Sequence, residues 1–380
     1  MRAFGEIPLS LYVHIPWCIK KCPYCDFNSH LNSDPPWSDY VDSLLLDLEK
    51  DYSQTGDRPI GSVFFGGGTP SLMPGKWLNK LMQGIRSRVD LATACEVTLE
   101  ANPGSLDAEN FAQYRAAGVN RLSIGAQSFR NQQLKELGRV HRADAILKTY
   151  LIARSVGFEN INLDLMHSLP SDTSGGGMTD LKQAISLRPE HISWYELTLE
   201  EGTQFAIKPP SRPRHDEIIG KHEDGVELLH GQGYTCYEVS AFAQAGYRCR
   251  HNENYWQFGD YIGIGAGAHG KISVDDRVYR TVKRRSPNSY LSGIAADQYQ
   301  EPKRTLARDD LICEFIINAT RLRSGFSRQL FEQRTGLDWQ ELDRQLHRAV
   351  EKGFMSVASE QVHLTAKGQR FLNDLQLLFC

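Results

Sequence analysis

The 380-residue chain carries 43 Lys and Arg against 46 Asp and Glu, a net charge of −3, with 41% hydrophobic and 23% charged residues. That length buries a substantial core and accommodates one large domain plus a smaller one. The charge balance supplies no electrostatic footprint for a nucleic acid or an anionic membrane surface. No stretch approaches the ~18 apolar residues of a membrane span, and Met1 to Pro8 lacks an apolar signal core, so the expected location is the cytoplasm.

From residue 9 to about 230 one theme repeats: a short β run, a polar or glycine-containing loop, an amphipathic helix. The predicted strands are Leu9–Ile15, Ser62–Phe65, Glu96–Ala101, Arg121–Ala126, Asn160–Met166 and Ile192–Leu197. In the first helix Tyr40, Val41, Leu44, Leu45 and Leu48 share one face. The third is expected to open at Ser105 as N-cap and to close at Gly118. Six such units predict an α/β fold with a parallel sheet and right-handed crossovers, a partial (β/α)6 barrel rather than a closed eight-unit one.

Strand parity adds a second reading. Leu11, Val13 and Ile15 oppose Tyr12 and His14; Val97 and Leu99 oppose Thr98 and Glu100. Leu122, Ile124 and Ala126 oppose Ser123 and Gln127; Ile161, Leu163 and Leu165 oppose Asn162 and Asp164. Buried parallel strands are ordinarily apolar on both faces, so a polar parity predicts a lumen that holds a polar ligand. The alternative is a set of satisfied core hydrogen bonds.

Past residue 234 the pattern breaks into Tyr234–Val239, the glycine-rich run Tyr261–Gly270 and the basic segment Lys283–Pro287, while Ser174–Gly177 reads as a loose loop. Residues 307–380 read as helix, helix, hairpin and helix, a small winged-helix-like domain with Thr365 capping its last helix. Winged-helix shapes also serve as lids, and this one is not notably basic, so no nucleic-acid partner is expected. The expected division is 1–235 for the barrel, 236–300 for an extension and 301–380 for the C-terminal domain.

Three of the eight cysteines, Cys18, Cys22 and Cys25, crowd into one short loop after the first strand; the others are scattered. That distribution is wrong for a disulfide framework and suits a metal site in a reducing compartment. Three thiolates spaced C-x3-C-x2-C can each take one iron of a [4Fe–4S] cubane, leaving the fourth iron open. Zinc is the rival, with His14 or His30 as the fourth ligand, but no second cysteine pair is present. Plain structural cysteines are the third possibility.

C-x3-C-x2-C directly after a first strand resembles the radical SAM superfamily, over residues 9 to about 240. The resemblance implies that S-adenosylmethionine chelates the open iron, that Tyr24 lies near its adenine, and that the turn Gly66-Gly67-Gly68-Thr69-Pro70 meets its methionine end. The chain is closer still to the anaerobic coproporphyrinogen III oxidase-like branch, in which Tyr12, Glu100, Gln127, Arg139 and Asp164 match further cofactor contacts. Carboxylates there accept from ribose hydroxyls, and Arg139 can pair with the ligand carboxylate.

Two departures divide the branch. Phe27 stands where the oxidases carry a fourth cysteine, and only 17 residues precede Cys18. Both match the heme-chaperone arm, as does His251-Asn-Glu-Asn-Tyr255-Trp256, which the resemblance implicates in heme binding. His251 would be the axial ligand, with Cys249 and His269 as competitors, and Tyr255 and Trp256 would stack on the macrocycle. The competing reading is that this segment only fixes packing against the barrel. A further departure is His167-Ser168-Leu-Pro170-Ser-Asp172, where the branch carries a glycine and a glutamine. The resemblance therefore implies a chaperone with S-adenosylmethionine and a [4Fe–4S] cluster as cofactors, heme as cargo, an acceptor protein as partner and transient membrane association. The alternatives are an oxidase-like radical enzyme of porphyrin metabolism, or a zinc-stabilised interaction protein.

Overall fold

The computed structural model describes residues 6–104, 108–172 and 176–380. Its main sheet has 12 strands. In chain order they are β1 (Leu9–Ile15), β2 (Ile60–Gly67), β3 (Leu91–Ala101), β4 (Arg121–Gln127), β5 (Ile161–His167), β6 (His191–Glu196), β7 (Thr235–Cys236), β8 (Ala241–Ala243), β9 (Asp260–Ile264), β10 (His269–Val274), β11 (Arg277–Val282) and β12 (Arg304–Thr305). β1 to β6 lie side by side in chain order and pair in parallel. These are the six predicted units, a partial barrel. β9 adds in parallel on the free edge of β1 and carries antiparallel β10 to β12, while β8 and β7 finish the other edge.

Helices cover the outer face through the apolar parity. Leu11, Val13, Leu99, Leu122, Ile124, Ile161 and Leu163 are fully buried in one continuous core with Tyr40, Val41, Leu44 and Leu48 of helix Trp37–Tyr52. The expected cap at Ser105 lies outside the described residues. So does Ser174; Gly176 and Gly177 open the helix Gly176–Ser186 rather than a loop.

The C-terminal part has its own core around Leu311, Ile312, Phe315, Phe331, Leu346 and Val362, into which Phe258 and Val278 of the extension also insert. Its hairpin, Met355–Ala358 with Gln361–Leu364, is joined by Phe326–Ser327 into a three-stranded sheet. Thr365 caps the following helix, accepting from the Gly368 amide. One expectation is corrected here. Cys313 and Cys380 form a disulfide, because helix Leu372–Gln376 folds back on helix Arg308–Ala319 and brings together cysteines 67 residues apart in sequence. The other six cysteines are free.

Candidate functional site

The cysteine loop leaves β1 at Ile15 and is fixed from several directions. Trp17–Cys18 pairs in parallel with His30–Leu31, and the Trp17 ring packs edge-on against Trp37 and Tyr40. His14 Nε2 lies 2.8 Å from the Asn28 carbonyl, and Asn28 donates in turn to the carbonyls of Ala266 and Arg285. Beneath the loop, Gly67 has φ +116°, and a Cβ there would sit 2.7 Å from the His14 ring; one on Gly68 would sit 2.7 Å from the Trp17 carbonyl. Only glycine lets this turn approach so closely.

Cys18, Cys22 and Cys25 line a cavity of about 770 Å³ at the carboxyl ends of the parallel strands. Burial pushes the Cys18 and Cys25 thiols up, and the Thr69 hydroxyl, 3.3 Å from Cys18 Sγ, partly offsets this at Cys18. The same cavity is lined by Tyr24, Gly67, Gly68, Thr69, Glu100, Gln127, Arg139 and Asp164. Arg139 ties the two groups together. It donates to the Gly125 carbonyl at 3.0 Å and to Asn102 Oδ1 at 2.5 Å, and lies 3.4 Å from the Tyr24 hydroxyl and 3.9 Å from Cys22 Sγ. Burial, then the neighbouring Asp164, raises the Glu100 carboxyl to about 8. Gln127 holds φ +65°, an uncommon backbone for a non-glycine residue, and accepts from the Tyr195 hydroxyl. Tyr12 does not line the cavity. Its hydroxyl meets His14 Nδ1 at 3.1 Å, and its ring sits among Phe64 and His251 deeper in the barrel.

The polar strand parity meets two environments, at different depths. Toward the floor Asp164, Ser123, Asn162, His191 and Tyr237 form one hydrogen-bonded chain. Toward the carboxyl ends the same parity opens into the cavity.

The donor set fits the cofactors that the radical SAM fold implies. Three soft thiols from one loop face a cavity whose walls supply carboxyl, amide and guanidinium groups, over a glycine cradle. Among the described residues no three His, Cys, Asp or Glu side chains converge as a single-ion site requires; a cubane instead takes each thiolate on its own iron.

The segment singled out for heme lies elsewhere. Helix Arg250–Trp256 closes the floor of the barrel, its backbone amides at Arg250 and His251 bonded to Glu96. His251 is 1% exposed, with Nδ1 3.0 Å from Ser62 Oγ, Nε2 2.9 Å from the Tyr255 hydroxyl and its ring stacked on Phe64. Both ring nitrogens are thus engaged. Beside Tyr255 and Trp256 the cavity measures about 130 Å³, below the ~300 Å³ lower end for a drug-sized ligand. Cys249 is buried against Glu96, and His269 is exposed on the edge of β10. The His167–Asp172 departure has a structural account. Asp172 accepts from the Gly176 and Gly177 amides, holding the start of the next helix, and pairs with Arg130.

Sequence reasoning missed Asn102, Tyr195 and His141, all of which line the cavity. Tyr195 was accessible from parity, since His191, Ser193 and Tyr195 alternate along β6. His141 carried only its nearness to Arg139. It is 7% exposed, its Nδ1 has no hydrogen-bond partner among the described residues, and burial, then Arg139, lowers it to about 4, so the ring is neutral.

Comparison with known proteins agrees with this geometry. The family model of the radical SAM superfamily matches residues 12–182, and that of the HemN C-terminal domain matches 306–371. The chain is a member of the radical SAM superfamily, with the fold that carries a [4Fe–4S] cluster and S-adenosylmethionine. It is 45% identical to the heme chaperone HemW of Escherichia coli over 374 residues, 98% of both chains, and 33% identical to that of Bacillus subtilis, over 96% of this chain and 97% of the relative. Within the superfamily it belongs to the HemW family. The solved structure of coproporphyrinogen III oxidase (HemN) from E. coli superposes with a TM-score of 0.82 over 98% of this chain and 90% of that one, at 23% identity, showing a shared fold.

Proposed function

We propose that this protein is a heme chaperone that binds S-adenosylmethionine at a [4Fe–4S] cluster and passes heme to an acceptor protein. The observation that carries the cofactor half is the convergence of Cys18, Cys22 and Cys25 with Gly67, Gly68, Thr69, Glu100, Gln127, Arg139 and Asp164 on one cavity. In this reading Cys18, Cys22 and Cys25 would hold the cluster, which would supply an open iron site for S-adenosylmethionine. Arg139 orients the ligand carboxylate, Glu100 and Asp164 accept from ribose hydroxyls, and Tyr24 lies against the adenine. Tyr12 acts behind this shell, through His14 under the glycine turn. Phe27 at the position of a fourth cysteine and the kinship with HemW proteins support cargo handling over coproporphyrinogen oxidation. The proposed division is a barrel to residue 235, an extension to 300 whose Phe258 and Val278 pack into the core of the last part, and the C-terminal domain from 301. No described helix is long and apolar enough to cross a membrane.

Anaerobic reconstitution followed by EPR tests the cofactor half: the cluster spectrum should change on adding S-adenosylmethionine, and Cys22→Ala should abolish it. Hemin titration tests the cargo half. Robust decarboxylation of coproporphyrinogen III by the reconstituted protein would reject the chaperone reading in favour of the enzyme.

A further inference from the structure

We infer that heme docks across the mouth of the cysteine-lined cavity, on an exposed collar of Ile19, Phe27 and Val140, with its carboxylate edge toward Lys20 and Lys21. The inference rests on the heme-chaperone reading and gives it a place. Single exposed apolar side chains are ordinary. Here three exposed large apolar side chains, Ile19 at 61%, Phe27 at 58% and Val140 at 65%, line one opening from two segments of the chain. Leu72, Met166 and Leu197 continue the apolar wall inward. A porphyrin is a flat apolar disc with both carboxylates on one edge, so its docking face must pair an apolar platform with cations on one side only.

The charges meet that requirement. Lys20 and Lys21 both line the mouth and are exposed, and neither is paired with a carboxylate among the described residues. Among the described residues Lys21 Nζ reaches only the Phe27 carbonyl, at 3.4 Å. The other rim cation, Arg142, is spent on Asp144 at 3.7 Å, and Asp26 and Glu200 complete the rim. The Ile19–Lys21 corner is therefore the place for two propionates. The alternative location under helix Arg250–Trp256 offers about 130 Å³ and an imidazole with no free nitrogen.

The test uses full-length protein with its cluster reconstituted and follows the Soret band during hemin titration. Ile19→Ser/Phe27→Ser/Val140→Ser should raise the heme Kd at least tenfold, and Lys20→Glu/Lys21→Glu severalfold with a weaker salt dependence. His251→Gln should stay within twofold of wild type. Iron-free protoporphyrin IX should compete with heme, because the collar reads the disc and its carboxylates. Iron content and the circular dichroism melt confirm that each variant is folded and loaded. A collar variant with wild-type heme affinity, or affinity lost only in His251→Gln, overturns the inference. So does a collar that keeps heme but fails to engage an acceptor, which would make it a protein-docking face. If wild-type protein binds no heme, the chaperone reading itself fails.

Discussion

Glu100 and Asp164 project from neighbouring parts of one wall, and burial raises both carboxyls. For Glu100, between the ordinary 4.5 and about 8 the folded chain holds the proton more tightly than the unfolded one. Its contribution to stability is therefore complete at low pH and lost as pH rises through that window. Glu100→Gln should raise the melting temperature of cluster-free protein at pH 8 and much less at pH 5. The same substitution should weaken S-adenosylmethionine binding, a gain in fold and a loss in ligand that marks a residue held for function. Calorimetry at the two pH values, with ligand titration, checks both halves; a larger gain at pH 5 would contradict the sign. His141→Ala should also weaken binding of the cofactor, severalfold by equilibrium dialysis. Of these residues Glu100 and Asp164 were legible, because two-residue alternation displays them. His141 was not, since a loop residue has no period to betray which way it faces.

Among the elements, helix Trp37–Tyr52 shows where pattern reading stops. Its apolar face was plain from 3.6-residue spacing, yet Asp47 on the same helix is 0% exposed. It is held by Lys283, 2.6 Å away on the segment after β11, by the Tyr290 hydroxyl and by the Gly265 amide; Asp51 is 2.8 Å from the same ammonium. Burial raises Asp47 to about 6 against the opposing pull of Lys283. This cluster clamps the extension to the first helix of the barrel. Lys283→Met leaves two buried carboxyls without their cation and should cost about 3–5 kcal/mol in urea unfolding. An effect below about 1 kcal/mol would show that water or protonation takes over the role. Such a cluster is invisible to local pattern, since its partners lie more than 200 residues apart. Helix Arg250–Trp256 fails in the same way: its composition suggested ligand chemistry, and only the fold shows that Ser62 and Tyr255 occupy the imidazole.

For the molecule as a whole, His14, His141, His167, His191, His222 and His251 all have their pKa lowered, with burial the leading cause in each. The unfolded chain takes up these protons near 6.5 while the folded chain refuses them, so stability is lost as pH falls below that value. The urea midpoint should drop steeply between pH 7 and pH 5, with proton uptake on unfolding; a flat midpoint would rule the argument out. The fold class was legible at this scale because six strand-helix units and a cysteine loop are local signals. The Cys313–Cys380 bridge and the floor helix were not, since both arise from segments returning to distant partners. That floor helix lies opposite the cysteine side, where exposed residues rim the chamber. Two small molecules using one entrance must queue: the deeper guest has to arrive first and depart last. Loading the outer guest should then slow escape of the inner one without touching it, a traffic rule imposed by architecture alone.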